Sequence, residues 1–454
     1  MAIQTQNPAT GEIVTTFEPH SDAEVDLALA KSVVAHEELR TWSFEKRADH
    51  MRKAAKIMRD DVEKLGKIVT TEMGKTFSQA KAEIEKCADA ADYYADTAAE
   101  HLADDIVKTK ATKSYRKYLP MGPVLAVMPW NYPIWQVVRF AAPALMAGNT
   151  GLLKHASNVP QCALFIEDIF KRAGFPDGAF QALLISGAKV ERILRDDRVR
   201  AATLTGSEPA GASVASICGQ EIKPTVLELG GSDAFIIMPS ADIKEAVKVG
   251  TKARTQNNGQ SCIAAKRFFV HADIYEDVKA KLVDSFEALK VGDPMKDDTD
   301  VGPMVNQDSL DTVTAQVENA LKDGAIRVTG AQRVEGKGFF FTPGILESIP
   351  ESSDAYHEEI FAPVALLFKV ENLDEAIKIT NSSPFGLGSA IFTEDKKEQE
   401  QAVTEIEAGA TFVNAMTSSN THLPFGGIKR SGYGRELAAE GIRAFCNVKT
   451  IYIA

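Results

Sequence analysis

The sequence predicts an α/β fold built from parallel-sheet domains. Three observations indicate this fold. Short apolar runs alternate with helical segments between residues 128 and 240, a second alternating block runs from about 242 to 420, and 454 residues are too many for a single core. Regular alternation of strand and helix is typical of parallel sheets that helices cover on both faces. Because ligands bind such sheets at the carboxyl ends of the strands, we expect the functional groups there.

The chain begins with a helical layer. The segment Ser-Asp-Ala-Glu from position 21 forms a capping box, in which the serine and the glutamate satisfy backbone N–H groups at the start of a helix. Apolar residues at helical spacing then predict two longer helices, over 44–72 and 76–103. After them, the segment 113–127 is typical of two strands about a turn.

The alternating elements follow in a regular order. The first block is predicted to contain strands 151–154, 180–185, 201–205, 226–229 and 234–238, with helices 160–173, 189–195 and 207–219. The second block is predicted to contain strand 267–271 and helix 273–289. The last apolar segment, 448–453, is a strand candidate at the end of the chain. Because such a strand needs a partner edge, we expect it to pair with another subunit.

Composition and charge argue against several classes of function. Hydrophobic residues make up 44% of the chain and charged residues 25%, as in ordinary globular proteins. Acidic residues outnumber basic ones by 63 to 51, which argues against nucleic acid or an anionic membrane as a partner. The five cysteines share no CxxC or His-paired spacing, so neither a disulfide framework nor a metal site is expected. We find no targeting segment and no apolar run near the ~18 residues that span a bilayer, so we expect a cytoplasmic protein.

One cysteine stands in a position suited to chemistry. Cys262 follows the turn-forming segment Asn257-Asn258-Gly259-Gln260-Ser261 and precedes an apolar strand. Turn residues let the backbone adopt unusual dihedral angles, and reactive groups often lie on loops held by a rigid scaffold. A free cysteine is more commonly a small buried hydrophobe. From this segment alone both interpretations stay open.

Several separated motifs together resemble the aldehyde dehydrogenases over nearly the whole chain. Each motif is weak by itself, but their joint occurrence in this order is specific. The motifs are MPWNYP at 128–133, GN at 148–149 with Lys154 following, TGS at 205–207, LELGG at 227–231, GQSC at 259–262, EEIF at 358–361 and PFGGIKRSG at 424–432. The resemblance is greatest to the succinic semialdehyde dehydrogenases.

The resemblance implies a domain organisation. It comprises two Rossmann-like parallel-sheet domains, one for cofactor binding and one for catalysis, plus a small β oligomerisation arm. The implied boundaries are 1–110 and 127–228 for the cofactor-binding domain, 229–423 for the catalytic domain, 111–126 and 436–454 for the arm, and 424–435 for a return segment. A homodimer or homotetramer is expected.

The resemblance assigns three residues to the reaction. Cys262 is the nucleophile, because thiolate is the best protein nucleophile near neutral pH. The side-chain amide of Asn131 and the backbone N–H of Cys262 stabilise the oxyanion. Glu228 ends an apolar strand, where burial raises the pKa of a carboxyl group, and is the base that activates water. Without the motifs, Asn131 would be interpreted as a turn residue and Glu228 as a solvated strand end.

The cofactor site departs from the usual dinucleotide fingerprint, since no GxGxxG follows the first strand. Instead, Gly206 and Ser207 close a strand and open a helix whose amides can face a pyrophosphate. The resemblance assigns to this site, in chain order, Met128, Trp130, Lys154, Ser157, Gly187, Gly206, Ser207, Leu229, Glu359 and Phe361. Within this set, Glu359 would hold the hydroxyls of the nicotinamide ribose.

Ser157 bears on the choice between NAD and NADP. Relatives that prefer NAD commonly have, three residues after the lysine, a glutamate that repels a 2′-phosphate. A carboxylate ~4 Å from a phosphate would cost on the order of 4 kcal/mol per charge pair at an effective dielectric of 20. Its absence permits NADP, and Ser157 and Lys154 can both donate to the phosphate. NADP is therefore the expected cofactor, with NAD used less well.

Arg139 indicates a substrate with a negative charge. It lies eight residues after Asn131, close to two helical turns, so both side chains share one face. Acetaldehyde-type relatives tend to have an aromatic or apolar residue at this position. Succinic semialdehyde dehydrogenases have an arginine there, which can bind a carboxylate through two hydrogen bonds. Ser419 matches a serine that assists in that subfamily, and Trp135 would wall the tunnel. Asn257 stands where several relatives carry a second arginine. The alternative for Arg139 is a solvent-facing helix charge.

These expectations describe an enzyme that oxidises succinic semialdehyde to succinate through a thiohemiacetal and a thioester on Cys262. Another short aldehyde, such as glutaric semialdehyde, would share every motif. A coenzyme A-acylating dehydrogenase would not need Glu228. A cysteine hydrolase or acyltransferase would need a histidine near the thiol, and none of the eight histidines lies in the matched motifs. A catalytically silent protein is the remaining alternative.

Overall fold

The computed structural model describes residues 3–454. In this part of the chain, two large sheets of six and seven strands are accompanied by one three-stranded sheet and two two-stranded sheets. Most neighbouring strands of the two large sheets are parallel, and helices lie between them in sequence. The predicted α/β class with two parallel-sheet units is confirmed.

The helices of the described residues are distributed along the whole chain. They are α1 (Asp22–Leu39), α2 (Phe44–Asp60), α3 (Val62–Met73), α4 (Phe77–His101), α5 (Trp135–Ala147), α6 (Pro160–Arg172), α7 (Val190–Leu194), α8 (Glu208–Gln220), α9 (Ile243–Thr255), α10 (Tyr275–Glu287), α11 (Gln307–Asp323), α12 (Asp354–His357), α13 (Leu373–Asn381), α14 (Lys396–Glu405) and α15 (Ala438–Arg443).

The strands are short. They are β1 (Ile3–Gln6), β2 (Ile13–Phe17), β3 (Asp105–Ile106), β4 (Lys113–Pro120), β5 (Pro123–Met128), β6 (Thr150–His155), β7 (Phe180–Ala182), β8 (Ala201–Thr205), β9 (Thr225–Glu228), β10 (Asp233–Ile237), β11 (Ala265–His271), β12 (Ile326–Thr329), β13 (Gly344–Glu347), β14 (Val364–Val370), β15 (Phe385–Gly386), β16 (Ser389–Phe392), β17 (Thr411–Val413), β18 (Ile428–Lys429), β19 (Gly432–Tyr433) and β20 (Cys446–Ile453).

The helical layer at the start of the chain differs from the prediction at one point. The capping box of α1 is present, with the Glu24 N–H donating to Ser21 Oγ and the Ser21 N–H donating to Glu24 Oε2. The single helix predicted over 44–72 is two helices. They separate at Asp61, whose dihedral angles of φ −98° and ψ 11° leave the helical region, and Arg172 of α6 donates to its carboxylate at 2.6 Å.

The six-stranded sheet has the order β19-β9-β8-β5-β6-β7, with β19 antiparallel to β9 and the other pairs parallel. Its side chains alternate between two cores. Leu125 and Leu152 pack with α1, α7 and α8, whereas Ala126 and Leu153 pack with α5 and α6. This alternation follows from the two-residue period of a strand, and it explains why the strands are apolar throughout.

The seven-stranded sheet has the order β12-β13-β14-β11-β10-β16-β17, and only β12 runs antiparallel to its neighbour. Phe235 and Phe268 face α9 and α10, whereas Ile236 and Phe269 face α13 and α14. The chain passes from the six-stranded to the seven-stranded sheet between the end of β9 and the start of β10. The carboxyl end of β9 therefore meets the second sheet at this crossing.

The strand at the end of the chain has one partner strand within its own chain. One edge of β20 pairs antiparallel with β4 of the same chain, from Cys446 opposite Pro120 to Ile453 opposite Lys113, and the expected pairing of 448–453 with another subunit stays a prediction. The order β20-β4-β3 leaves β20 at an edge. This terminal strand thus has a partner on one side within its own chain and keeps its other edge without a strand among residues 3–454.

Residues 113–127 also divide between two sheets. The two predicted strands exist as β4 and β5, but β4 lies in the three-stranded sheet and β5 in the centre of the six-stranded sheet. Residues 123–126, which the sequence analysis placed in the arm, therefore belong to the larger sheet. Conversely, β3 at Asp105–Ile106 lies in the three-stranded sheet. The other domain boundaries stay predictions.

Residues 3–454 contain neither a candidate membrane span nor a candidate metal cluster. No helix in this range has both the length and the apolar character needed to cross a bilayer. Within the same residues, no group of three or more His, Cys, Asp and Glu side chains could hold a metal ion.

Candidate active site

A cavity of ≈ 650 Å³ has Cys262 in its wall. The other walls come from α4, α5, α9, the segment around Tyr132 and the segment 416–425. Arg139, Trp135 and Ser419 also line it. A concave space that gathers a thiol and a few polar groups from separate elements is the usual form of a small-molecule site.

A left-handed turn presents the thiol to this cavity. Asn257, Asn258 and Gly259 have φ values of 56°, 57° and 73°, a region that asparagine and glycine tolerate better than other residues. Asn258 holds the turn in place, because its Nδ2 donates to the carbonyls of Gly74 at 2.8 Å and Pro303 at 2.9 Å. The chain then reverses through Cys262 into β11, so the turn predicted from the sequence is confirmed.

The thiol of Cys262 has an unfavourable environment for ionisation in the free protein. Burial raises the pKa of Cys262 to about 12, and the ammonium group of Lys266 opposes the rise. Lys266 is buried and donates to the carbonyls of both Ser261 and Cys262. Lys266 also lies 2.8 Å from Oε1 of Glu359, so it joins the loop of the nucleophile to a residue assigned to the cofactor.

The Leu-Gly-Gly segment after Glu228 packs against the backbone carbonyl of Cys262 and the carboxylate of Glu359. A Cβ atom at Gly231 would lie 2.9 Å from the carbonyl oxygen of Cys262, and one at Gly230 would lie 2.5 Å from Oε2 of Glu359. Only glycine permits these close approaches. The motif therefore lets the crossing between the two sheets contact both the nucleophile loop and Glu359.

Asn131 lies directly beside the nucleophile loop. Its Nδ2 donates to the carbonyl of Gln260 at 3.1 Å, and Asn257 Nδ2 donates to the Asn131 carbonyl at 2.9 Å and to the Gln260 carbonyl at 2.8 Å. Asn131 is buried and does not line the cavity itself. Asn257, in the position of the second arginine of some relatives, is buried and joins the two segments.

A buried ion pair fixes the segment that carries Asn131, and sequence reasoning missed it. Glu83 of α4 accepts hydrogen bonds from the backbone N–H groups of Ile134 at 2.8 Å and Trp135 at 2.9 Å, at the start of α5. Lys75 balances its charge and lies over the ring of Tyr132. A carboxylate at a helix N-terminus is stabilised by the unpaired N–H groups there.

Glu228 occupies the end of β9 and is 2% exposed. Neither of its carboxylate oxygens accepts a hydrogen bond from the described residues. A Cβ at Gly426 would lie 2.6 Å from Glu228 Oε1, so the Pro-Phe-Gly-Gly motif packs against this carboxyl group. Burial raises the pKa of Glu228 well above its ordinary value, Glu436 raises it further, and Arg139 opposes both. A carboxyl group in this state is suited to accept a proton near neutral pH.

Arg139 reaches the cavity, but part of its guanidinium group is already occupied. Its Nε lies 2.5 Å from Oε2 of Glu436, its Nη2 donates to Thr205 Oγ1 at 3.3 Å, and its plane lies over Phe425. The side chain is buried, so the solvent-facing alternative is wrong. Because an internal carboxylate already pairs with it, a direct role toward a substrate carboxylate stays a prediction.

A second cation lines the cavity, and the sequence analysis did not identify it. Lys86 of α4 donates to Ser419 Oγ at 2.7 Å and lies 4.2 Å from the ring centre of Trp135. Burial lowers the pKa of Lys86 to about 8. No sequence signal distinguished Lys86 from the other lysines of α4, because its hydrogen-bond partner, Ser419, lies 333 residues away in the chain.

The residues assigned to the pyrophosphate and adenosine lie at the carboxyl ends of parallel strands. Gly206 and Ser207 follow β8, and the Ser207 side chain makes no cap hydrogen bond, so N–H groups at the start of α8 remain free for an anion. No atom lies within 4 Å of a Cβ placed at Gly187, so that loop is open to a ligand. Lys154 is the penultimate residue of β6, Ser157 lies two residues beyond the end of the strand, and burial lowers the pKa of Lys154.

The residues assigned to the nicotinamide half surround the sheet crossing. Met128 ends β5 and is buried, and Leu229 follows Glu228 at the end of β9. Trp130 and Phe361 meet edge to face with ring centres 5.7 Å apart. Glu359 Oε1 accepts no hydrogen bond of good geometry from the described residues, although Lys266 is near it. This arrangement fits a dinucleotide whose ribose hydroxyls would donate to Glu359.

Comparisons with known proteins agree with this geometry. The model of the aldehyde dehydrogenase family matches residues 1–451. The protein named succinate-semialdehyde dehydrogenase NADP(+) 1 from Mycobacterium tuberculosis (strain ATCC 25618 / H37Rv) is 54% identical over 457 residues, covering 100% of both chains. The succinate-semialdehyde dehydrogenase NADP(+) of Mycobacterium avium (strain 104) is also 54% identical, covering 100% of this chain and 97% of its own.

Solved structures give the same result. The crystal structure of succinic semialdehyde dehydrogenase from Streptococcus pyogenes in complex with NADP+ superposes with a TM-score of 0.98 at 38% identity and full coverage of both chains. The predicted resemblance thus extends from separate motifs to the complete sequence and fold. The chain belongs to the aldehyde dehydrogenase family.

Proposed function

We propose that this protein oxidises succinic semialdehyde to succinate and prefers NADP as the oxidant. The observation that carries the proposal is the cavity in which the Cys262 thiol shares a wall with Arg139, Lys86 and Ser419. Basic and hydroxyl groups near a nucleophile favour an aldehyde with a carboxylate. The names of the relatives from Mycobacterium and Streptococcus support the same substrate and cofactor.

The reaction begins at the thiol. Cys262 Sγ transfers its proton to solvent water and attacks the aldehyde carbon, so that a C–S bond forms while the C=O π bond opens and places a negative charge on the former carbonyl oxygen. The Asn131 amide and the Cys262 backbone N–H are proposed to stabilise this oxyanion, since donors fixed before the reaction need no reorganisation. The contact of Asn131 with Gln260 supports this role, because it holds the amide beside the loop that carries the thiol.

The second half of the reaction depends on Glu228. A bound NADP+ would supply the acceptor for the hydride on the tetrahedral carbon, and a thioester would remain on Cys262. A water molecule then gives a proton to Glu228, attacks the thioester carbon and displaces the thiolate, releasing the acid. The raised pKa of Glu228 supports this role, because a more basic carboxylate removes the proton more readily.

The remaining assigned residues are proposed to bind and orient. Glu359 would accept from the nicotinamide ribose, with Met128, Trp130, Leu229 and Phe361 around the ring. Gly206 and Ser207 would bind the pyrophosphate, and Gly187 would lie beside the adenosine half. Ser157 and Lys154 would donate to the 2′-phosphate, and no carboxylate stands at position 157 to repel it. Trp135 and Ser419 would flank the substrate.

Steady-state kinetics test the proposal. Purified protein is assayed with succinic semialdehyde, glutaric semialdehyde and the uncharged aldehyde pentanal, each with NADP and with NAD, by the absorbance of the reduced cofactor. We expect the highest kcat/KM with succinic semialdehyde and NADP, and no activity in Cys262→Ala. Equal kcat/KM for pentanal and the two charged aldehydes would refute the carboxylate preference. A higher kcat/KM for glutaric semialdehyde would show that this longer aldehyde is the preferred substrate.

We further propose a cytoplasmic homodimer or homotetramer. All five cysteines are free thiols, which fits a reducing compartment. The outer edge of β20 carries no strand within residues 3–454, so it could accept a strand from a second copy. Sedimentation equilibrium distinguishes the two oligomers, and a monomer at micromolar concentration would contradict the proposal.

A further inference from the structure

The cavity that holds Cys262 contains cations of two kinds. Lys248 and Lys252 line it but are exposed to solvent, where water screens their charge. Lys86 is half-buried and Arg139 is buried. A substrate carboxylate inside the cavity would therefore interact most strongly with one of these two inner cations.

The two inner cations differ in what already neutralises them. Arg139 has the carboxylate of Glu436 at 2.5 Å and the hydroxyl of Thr205 at 3.3 Å. Among residues 3–454, the ammonium group of Lys86 has no carboxylate within ion-pair distance, and Glu83 on the same helix is paired with Lys75. A lysine withdrawn from water without a counter-ion is unfavourable, so the site around Lys86 favours an anion from outside.

The immediate surroundings of Lys86 form a binding geometry for a carboxylate. The flat face of Trp135 supports the ammonium group from one side, with 4.2 Å to the ring centre. Ser419 Oγ accepts one hydrogen of the ammonium group at 2.7 Å, which leaves its own hydroxyl proton free to donate. Two hydrogens of the ammonium group and one of the hydroxyl are thus available, and a carboxylate can accept them together.

We propose that Lys86 and Ser419 bind the carboxylate of the aldehyde substrate, and that Lys86 is the residue that selects a charged over an uncharged aldehyde. This inference rests on the proposed function, since it concerns the same cavity. In this arrangement, Arg139 contributes a positive field and holds Glu436, while Lys86 forms the direct ion pair. The assignment differs from the sequence-based one, which gave the carboxylate to Arg139.

The test compares charged and uncharged aldehydes in matched variants. Lys86→Met removes the charge with little change in length, Lys86→Arg keeps the charge, and Lys81→Met removes an exposed lysine of the same helix that pairs with Glu63 instead. For each, kcat and KM are measured with succinic semialdehyde and pentanal, and the Kd for succinate is measured by calorimetry without cofactor. The melting temperature of each variant reports whether it folds.

We expect Lys86→Met to lower kcat/KM for succinic semialdehyde by about 10- to 100-fold, mainly through KM, as for the loss of one charge-assisted hydrogen bond. Succinate should bind more weakly by a similar factor, pentanal should be affected much less, and Lys86→Arg should restore part of the loss. Lys81→Met should resemble the wild type.

Each other outcome overturns a specific statement. Equal losses with both aldehydes would show that Lys86 acts through the packing of Trp135 and Ser419. An unchanged preference for the charged aldehyde in Lys86→Met would assign the carboxylate to another cation. If the wild type itself does not prefer succinic semialdehyde over pentanal, the proposed function fails before any variant is considered.

Discussion

The ammonium group of Lys266 lies 2.8 Å from Oε1 of Glu359 and also donates to the backbone carbonyl of Cys262. One buried lysine therefore contacts both the loop that presents the nucleophile and the carboxylate assigned to the nicotinamide ribose. A cofactor hydroxyl that binds Glu359 would change the partner of Lys266. We therefore expect this contact to link the electrostatics of the thiol to the binding of the cofactor.

Lys266→Met should make the Cys262 thiol less reactive. Lys266 opposes the rise of the Cys262 pKa, so its removal raises that pKa further and lowers the thiolate fraction at a given pH. We expect alkylation by iodoacetamide at pH 8 to slow about tenfold, which corresponds to roughly one pKa unit. The control is Lys279→Met, which breaks a pair with Glu347 outside the cavity lining. Equal alkylation rates in Lys266→Met and the control would contradict this electrostatic role.

Glu228→Gln should separate the two halves of the reaction. The amide cannot accept a proton from water, but hydride transfer does not require it. Stopped-flow absorbance should show a first turnover of reduced cofactor close to the wild-type amount, followed by a steady rate lower by roughly 10²- to 10⁴-fold. A matched control is Glu245→Gln, an exposed glutamate that pairs with Lys248. Full steady-state activity would remove Glu228 from the mechanism.

Glu436→Gln should shift the pH dependence of thioester hydrolysis to lower pH. Glu436 raises the pKa of Glu228 by repulsion between two carboxylates, and its loss also frees the charge of Arg139 to lower that pKa. Hydrolysis needs deprotonated Glu228, so its rate rises as pH passes the pKa. The midpoint of this rise, measured by single-turnover release of succinate, should move to lower pH in the variant. A midpoint that stays in place or rises would show that the two carboxyl groups are not coupled in the working enzyme.

Ser157→Glu should shift the cofactor preference toward NAD. A carboxylate ~4 Å from the 2′-phosphate costs up to about 4 kcal/mol per charge pair at an effective dielectric of 20, and solvent reduces this value. The ratio of kcat/KM for NADP to that for NAD is measured in Ser157→Glu and in Ser157→Gln, which has the same size without the charge. We expect a large fall only in Ser157→Glu. An unchanged ratio would show that position 157 does not contact the phosphate.

The preference for a charged aldehyde should decline above pH 8. Burial is the main cause that lowers the pKa of Lys86 to about 8; Arg139 of α5 acts in the same direction, and Cys87 and Glu83 of α4 act in the opposite direction. Lys86 is thus protonated below this pH and neutral above it, so the carboxylate loses its ion pair as pH rises. The measurement is the ratio of kcat/KM for succinic semialdehyde to that for pentanal. The titration of Cys262 affects both aldehydes equally and therefore cancels in this ratio. In Lys86→Arg the ratio should stay constant, and the same decline there would assign the titration to another group.

Local features of the fold were predictable because they depend on neighbouring residues. The capping box at Ser21, the strand 201–205 and the turn before Cys262 all appear as the sequence indicated. Boundaries were less accurate where a local break interrupts a long pattern, as at Asp61 between α2 and α3. The sequence did not predict that β20 pairs with β4 of its own chain, because strand pairing depends on where the whole chain returns and not on the strand itself.

The sequence by itself determined the fold class, the family motifs and the turn that carries Cys262, because each depends on segments of a few residues with fixed spacing. Tertiary structure decided which charges meet. Arg139 pairs with Glu436, Lys86 with Ser419, and Lys266 with Glu359, and none of these pairs follows from spacing along the chain. Burial determines the strength of such contacts, since the same charges on the surface would be screened by water. The fold therefore determines which cation is free to meet a substrate carboxylate.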